Sequence, residues 1–177
     1  MPRVLTPMQR GREGYMERMV GRIRHTLSLI VLGVMLLSGV DAIAQINAER
    51  VLLMGRNALY YEDYVLAIQR FNLVINAKPW LAEPYFYRGL AKFYLEDYQG
   101  AEIDCGSALE RNPYMGQYYM LRALCSINRG RYVQAETDYV HAIRISPLDK
   151  NSWHNLVLCQ MELKEYARAD SSLDQMI

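Results

Sequence analysis

Histidine and cysteine are the residues of this sequence best suited to bind a metal ion or to act as catalytic groups. The three histidines, His25, His141 and His154, stand far apart, and no set of cysteines and carboxylates surrounds any of them with the spacing of a metal site. The sequence also contains neither a glycine-rich phosphate-binding loop nor the Gly-x-Ser-x-Gly turn of a serine nucleophile. We therefore expect no enzymatic activity, no metal site and no cofactor.

Four columns of residues recur every 34 residues and predict the elements of the fold. The columns are Tyr64, Tyr98, Tyr132 and Tyr166; Ala67, Ala101, Ala135 and Ala169; Pro79, Pro113 and Pro147; and Val74, Ala108, Ala142 and Met176. Each repeat contains two stretches with apolar residues at helical spacing, separated by a polar turn. We expect alanine where two helices cross closely and proline where the second helix ends, because proline has no N–H to continue the helix. These columns are therefore structural.

The columns resemble the tetratricopeptide repeat, whose period is also 34 residues. The family pattern of Gly, Tyr, Ala, an aromatic residue and Pro is met by Gly89, Tyr98, Ala101, Cys105 and Pro113, with cysteine in place of the aromatic residue. The resemblance covers unit 1 (48–81), unit 2 (82–115), unit 3 (116–149) and an incomplete unit 4 (150–177). It implies an all-α, right-handed superhelical solenoid of antiparallel helix pairs within a domain spanning residues 45–177.

The sequence departs from the family pattern in two ways. Leucine replaces the family's aromatic residue at Leu173, as cysteine does at Cys105. Charged residues replace the family's glycine between the two helices of three units, at Glu62, Glu96 and Lys164. We expect these departures to weaken packing slightly without changing the fold.

An arginine and an aspartate occur together in the two central units. Arg88 is followed sixteen residues later by Asp104, and Arg122 by Asp138. The outer units have other residues at these positions, Met54 with Arg70 and Leu156 with Ser172. A buried guanidinium requires a partner, whereas an apolar side chain does not. We therefore predict ion pairs within units 2 and 3 that belong to the scaffold and not to a ligand site.

The three cysteines, Cys105, Cys125 and Cys159, all lie in the repeats and have no metal-like spacing. Cys125 and Cys159 occupy the same column of adjacent units, so their Cα atoms should be farther apart than the 7 Å or so that a disulfide can bridge. We expect buried free thiols. A disulfide between Cys105 and Cys125 is the one pairing that the sequence leaves open.

Residues 1–44 have the three parts of a secretory signal peptide. Basic residues around Arg24 precede the apolar run Leu27 to Val40, and Ala42-Ile43-Ala44 has the small-x-small pattern of a cleavage site. The run of 14 residues is shorter than the roughly 20 that span a bilayer. We expect an exported protein, periplasmic or secreted. An uncleaved leader that anchors the chain in the membrane is the alternative, and translation could also begin at Met19.

The resemblance places the partner-binding surface on the concave face, which the first helix of each unit lines. The groove positions are Leu52, Arg56, Phe86, Leu90, Phe93, Tyr94, Met120, Leu124, Ile127, His154, Leu158 and Met161. Members of the family that bind acidic C-terminal tails have Lys, Arg and Asn in these columns, whereas this groove is mostly apolar. We expect it to bind an amphipathic helix or an extended apolar segment. For any single residue of this groove, and especially for Leu59, Phe93 and Ile127, burial against a neighbouring helix is an equal alternative.

These features together predict a protein-binding scaffold or adaptor. The net charge is +1, with 20 Lys and Arg against 19 Asp and Glu, which disfavours nucleic acid as a partner because binding a run of phosphates requires an excess of basic residues. Two alternatives are the docking arm of a larger envelope enzyme or assembly machine, and a glycan-binding module that uses aromatic residues such as Tyr94. We also expect Leu173, Met176 and Ile177 to be uncovered by any other helix. This predicts either self-association through the C-terminal end or further chain beyond residue 177.

The leader can be tested directly. If Ala42-Ile43-Ala44 is cleaved, Edman sequencing of the mature protein from the exported fraction should begin at Gln45. Recovery of a chain that begins at Met1 or Met19 from the membrane fraction would show an anchor instead.

Overall fold

The computed structural model describes residue 16 and residues 19–24, 26–31 and 48–176. The chain divides into two compact parts, Met1–Asn47 and Ala48–Ile177. In the first, residues 19–24 and 26–31 are helical and nearly all exposed. None of the helices described is both long and apolar enough to span a bilayer. His25, most of the apolar run of the leader, its whole cleavage site and Ile177 lie outside the described residues.

The second part of the chain is a right-handed superhelical solenoid of four antiparallel helix pairs, as the repeats predicted. Its helices are α1 (residues 48–60), α2 (Tyr64–Ala77), α3 (Glu83–Tyr94), α4 (Tyr98–Arg111), α5 (Gly116–Asn128), α6 (Tyr132–Ile145), α7 (Lys150–Glu162) and α8 (Tyr166–Met176). From α2 onward each helix packs chiefly on its neighbours in the chain, and α3 also contacts α5. The first helices of units 1 to 4 are therefore α1, α3, α5 and α7.

Local sequence signals set where these helices begin and end. The side chains of Asp63 and Asp97 cap α2 and α4 by accepting hydrogen bonds from the backbone N–H groups of Leu66 (3.0 Å) and Gly100 (2.9 Å). The second helices of units 1 to 3 end just before the proline column, and the N–H of Asn112, the residue that follows α4, still donates to the carbonyl of Ala108 inside the helix. Proline therefore stands where a continuing helix would need another N–H donor.

The turn inside each unit requires a left-handed backbone. Glu62, Glu96 and Lys164 have φ values of 61°, 62° and 61°, and Gly130 has 70° at the equivalent position of unit 3. Glycine adopts this conformation without strain, whereas a residue with a Cβ atom costs roughly 1 kcal/mol. The three departures from the family's glycine therefore act through the backbone and not through packing, which is a different cause from the one that the sequence suggested.

The alanine column lies at the close helix crossings. Ala67, Ala101 and Ala135 are fully buried and Ala169 is 4% exposed. In unit 2 a Cβ atom built on Gly89 of α3 would lie 3.2 Å from the carbonyl oxygen of Ala101, so the two helices approach more closely than most side chains allow. The small residues of these columns thus fix the distance between the helices of a unit, as predicted.

Three apolar clusters form the core, each between three consecutive helices. The Phe71 cluster joins α1, α2 and α3; the Cys105 cluster joins α3, α4 and α5; and the Tyr139 cluster joins α5, α6 and α7. In the tyrosine column, Tyr64 and Tyr98 pack at the edge of this core and Tyr132 is half-buried, whereas Tyr166 of unit 4 is 62% exposed. The structural role predicted for that tyrosine is therefore weaker than in the other units.

The predicted ion pairs form in both central units. In unit 3, Arg122 donates from Nε to Asp138 Oδ2 over 2.8 Å and from a terminal nitrogen to Oδ1 over 2.7 Å, and Asp138 is 1% exposed. These hydrogen bonds raise the pKa of Arg122 above its ordinary value, although burial acts in the opposite direction. In unit 2, Arg88 makes the same pair with Asp104, and Lys92 also binds that carboxylate at 2.8 Å.

The cysteines are buried free thiols, as predicted. Cys105 and Cys125 lie together in the Cys105 cluster, and the contact between the two thiols, together with burial, raises the pKa of Cys105 far above its usual range. Burial raises the pKa of Cys159, in the Tyr139 cluster, to about 11. The thiols of Cys105 and Cys159 are therefore protonated and poorly nucleophilic at neutral pH.

The Arg122–Asp138 pair is suited to a double-mutant cycle. Arg122→Met should destabilise the protein by about 3–5 kcal/mol because it leaves a buried carboxylate without its partner. The double variant with Asp138→Leu should lose less than the sum of the two single changes, because it buries no unpaired charge. Urea unfolding measures these differences.

Arg131→Met supplies the control for this cycle. Arg131 pairs with Glu102, and its side chain is 41% exposed, so its loss should cost under about 1 kcal/mol. Additive effects of Arg122→Met and Asp138→Leu would contradict the pairing.

Candidate partner-binding groove

The twelve groove positions differ widely in exposure. Exposed side chains are Arg56, Tyr94, His154, Leu158 and Met161; half-buried ones are Leu52, Leu90, Phe93, Met120, Leu124 and Ile127; and Phe86 is buried. The groove is therefore not a uniform apolar trough. Its middle, on α3 and α5, is largely closed, whereas its exposed apolar part lies toward unit 4.

Phe86 belongs to the core, so the expectation that it faces the groove is wrong. It is 8% exposed and lies in the Cys105 cluster, with its ring 4.9 Å from that of Tyr118 on α5 and 5.2 Å from that of Tyr87. These centroid distances are typical of favourable aromatic pairs. Phe86 thus joins the first helices of units 2 and 3.

The half-buried positions in the middle of the groove pack against the core. Leu90 and Phe93 contact the Cys105 cluster, and Met120 and Ile127 contact the Tyr139 cluster. The alternative of burial against a neighbouring helix therefore holds in part for Phe93 and Ile127. Leu124 is half-buried and belongs to neither cluster. Each of these side chains leaves part of its surface available to a partner.

The unit 1 end of the groove is polar and aromatic. Arg56 lies 3.7 Å from Glu83, with both side chains about half exposed, and its guanidinium lies 5.2 Å from the ring centroid of Tyr87. Tyr94 stacks on Tyr64 of α2 with ring centroids 5.1 Å apart. An ion pair this exposed contributes under about 1 kcal/mol. Arg56 can therefore exchange Glu83 for another partner at little cost.

The unit 4 end presents an apolar row on α7. His154, Leu158 and Met161 follow one another at helical spacing, and all three are exposed, Leu158 by 44% and Met161 by 50%. On α8, Leu173 is 41% exposed and Met176 is partly buried. The uncovered surface predicted for this end is therefore present at Leu173 and smaller at Met176.

A second exposed column was missed by the sequence reasoning. Trp80, Tyr114 and Leu148 each follow the proline that closes a unit, and they are 65%, 80% and 94% exposed. Their spacing of 34 residues is visible in the sequence, so the same search for repeats could have found them. Among the described residues, no group of three or more His, Cys, Asp or Glu side chains is arranged to hold a metal ion.

Solved structures show the same fold. MamA is 20% identical over 73% of this chain and 76% of its own, with a TM-score of 0.71. The first tetratricopeptide-repeat domain of Spaghetti (RPAP3), bound to the HSP90 peptide SRMEEVD, is 21% identical over 66% of this chain and 93% of its own, with a TM-score of 0.65. The OM64 domain from Arabidopsis is 23% identical over 65% and 95%, with a TM-score of 0.64. The predicted tetratricopeptide-repeat fold is confirmed.

No protein-family model matches this sequence, and no curated protein is similar to it. At the identities above, the solved structures establish the fold and leave the ligand to be argued from the residues of this chain.

The division between core and groove can be tested by truncating one residue of each kind. Phe86→Ala should cost about 3–5 kcal/mol of unfolding free energy, because it opens a cavity between α3 and α5. Leu158→Ala should cost no more than about 1 kcal/mol, because this side chain is half exposed. Equal losses of unfolding free energy in the two variants, measured by urea unfolding, would show that the assignment of one residue to the core and the other to the groove is wrong.

Proposed function

We propose that this protein is a scaffold or adaptor that holds an apolar segment of another protein on its first helices, outside the cytoplasm. The observation that carries the proposal is the exposed row of Leu158 and Met161 on α7. Leu124 and Met120, on the adjacent first helix α5, are each half-buried. Exposed apolar side chains grouped in this way are typical of protein-binding surfaces.

The form of the partner follows from the spacing of these residues. Leu158 and Met161 lie one turn apart on α7, and α5 offers further apolar surface beside them. An amphipathic helix presents apolar side chains at the same one-turn spacing, so its face can be matched by this surface. Methionine has a flexible, polarisable side chain, which lets Met161 and Met120 adapt to partners of different shape.

The charge of the groove argues against an acidic tail as its ligand. The peptide bound to the Spaghetti (RPAP3) domain, SRMEEVD, ends in a strongly acidic segment. In this chain Arg56 is the only Arg or Lys among the twelve groove positions. A carboxylate-rich peptide would therefore find few partners here. An apolar segment buries surface that the groove itself leaves exposed.

The location outside the cytoplasm rests on the sequence of residues 1–44. A basic segment, a short apolar run and a small-x-small triplet together form an export signal. The two other functions considered, a docking arm of a larger machine and a glycan-binding module, receive no specific support from the geometry of the groove.

Charge substitutions in the groove test this function. Leu158→Glu and Met161→Glu should each reduce recovery of the partner at least about tenfold, because docking would desolvate a carboxylate with nothing to pair it. The measurement is affinity capture from the envelope fraction. A photo-reactive benzoylphenylalanine at position 124 should crosslink to the same partner.

Leu148→Glu is the matched control, because Leu148 is 94% exposed and lies off the groove. It should leave capture unchanged, and all variants should keep the melting temperature of the original protein. Recovery of the same partner by Leu158→Glu and Leu148→Glu alike would exclude the groove as the binding surface.

A further inference from the structure

A cavity of about 380 Å³ lies between α6, α7 and α8, away from the groove. Its lining includes Ile143 of α6, Trp153, Leu156 and Gln160 of α7, and Ser172 of α8. These α7 residues occupy a different face of the helix from Leu158 and Met161. A ligand in the cavity would therefore occupy a site separate from the groove.

The cavity arises where unit 4 departs from the repeat. Leu156 and Ser172 stand at the positions that Arg122 and Asp138 occupy in unit 3. In unit 3 the guanidinium and the carboxylate form two hydrogen bonds between the helices. The shorter side chains of Leu156 and Ser172 form no such link in unit 4. The cavity is therefore lined by the two residues that stand in unit 4 in place of the ion pair.

One polar atom in the floor of the cavity has no partner. Gln160 is 3% exposed; its Nε2 donates to Glu136 Oε1 over 3.2 Å, and its Oε1 is buried without a hydrogen bond among the described residues. A buried amide oxygen with nothing to bind is unfavourable, and such atoms are rare in folded proteins. Gln160 lines the cavity, so a ligand N–H or O–H group that reaches this oxygen would supply the missing hydrogen bond.

The rim of the cavity is positively charged, whereas its floor is neutral. Arg144 is exposed and has no ion-pair partner in the part of the chain that the structure describes. Arg168, also at the rim, is neutralised by Glu136 at 2.6 Å and by Glu165. Leu156 and Ile143 below them are 3% and 8% exposed. The arrangement favours an anionic group at the rim and an apolar body beneath it.

We propose that this cavity binds a small amphipathic carboxylate. The apolar body of the ligand packs against Trp153 and Leu156, a neutral N–H or O–H group donates to Gln160 Oε1, and the carboxylate pairs with Arg144. The volume accommodates one compact molecule of this kind, about the size of a bicyclic aromatic acid.

Three related probes test the three parts of the proposal on the full chain by isothermal titration calorimetry. Indole-3-acetate has an apolar ring, an N–H donor and a carboxylate, and it should bind once per chain with a dissociation constant of about 1 mM or lower. 1-Naphthaleneacetate lacks the donor and indole-3-acetamide lacks the charge, so each should bind about tenfold more weakly. No saturable binding of indole-3-acetate, or equal binding of all three, would overturn the proposal.

Variants locate the site. The double change Leu156→Arg with Ser172→Asp restores the ion pair of units 2 and 3, so it should fold, fill the cavity and abolish binding of indole-3-acetate. Arg144→Gln should weaken binding about tenfold, and Gln160→Met should remove the preference for indole-3-acetate over 1-naphthaleneacetate. Leu148→Glu, away from the cavity, should change nothing.

The results that would overturn this placement are equally definite. Unchanged affinity in the double variant and in Arg144→Gln, with an unaltered melting temperature, would place the probe elsewhere. If the double variant does not fold, the other two variants decide. Unchanged affinity in Arg144→Gln, together with an unchanged preference for indole-3-acetate in Gln160→Met, would refute the site.

Discussion

The close approach of two helices at the alanine column is the constraint on which the rest of this structure depends. Ala101 is fully buried, and the backbone of α4 lies so near Gly89 that a larger residue on α3 would displace it. Helices that cross this closely leave little room inside a unit, and the side chains that fill it must fit both of its helices. In units 2 and 3 an arginine and an aspartate do so, at the cost of burying two charges that have to be paired.

The first helices have to serve both the core and the outer surface, which explains why the groove is uneven. Their side chains are apolar around most of the helix, and the solenoid uses different parts of that surface in different units. On α3 the aromatic ring of Phe86 is taken into the core, where it contacts Tyr118. On α7 the equivalent residue is His154, which is exposed and leaves the adjacent Leu158 and Met161 open. The groove therefore exposes its apolar side chains on α7, where an exposed histidine stands in place of the aromatic ring that α3 gives to the core.

The sequence predicted most of the features that repeat, although not the exposed column of Trp80, Tyr114 and Leu148, and it missed those that depend on which face of a helix is used. The 34-residue columns predicted the helix pairs, the buried alanines and the partners of Arg88 and Arg122, because each of these recurs at a fixed separation. Phe86 was misplaced because helical periodicity cannot tell the inner face from the outer one when both are apolar. The cavity was missed because the sequence showed that Leu156 and Ser172 need no partners, but not that they line a cavity.

Unit 4 is where the departures from the repeat collect, and this has a physical consequence. Leu156 and Ser172 stand in place of the ion pair, and Gln160 leaves a buried oxygen unpaired. The tyrosine of this unit, Tyr166, is exposed, and α7 carries the exposed row of the groove. Positions that violate a local rule without compensation within the fold are where function is expected, because binding can supply the missing interactions. Units 2 and 3, whose buried aspartates each pair with an arginine of the same unit, are the scaffold. Unit 4 lacks interactions on two faces of one helix, so a protein segment and a small carboxylate could occupy α7 together without competing for the same side chains.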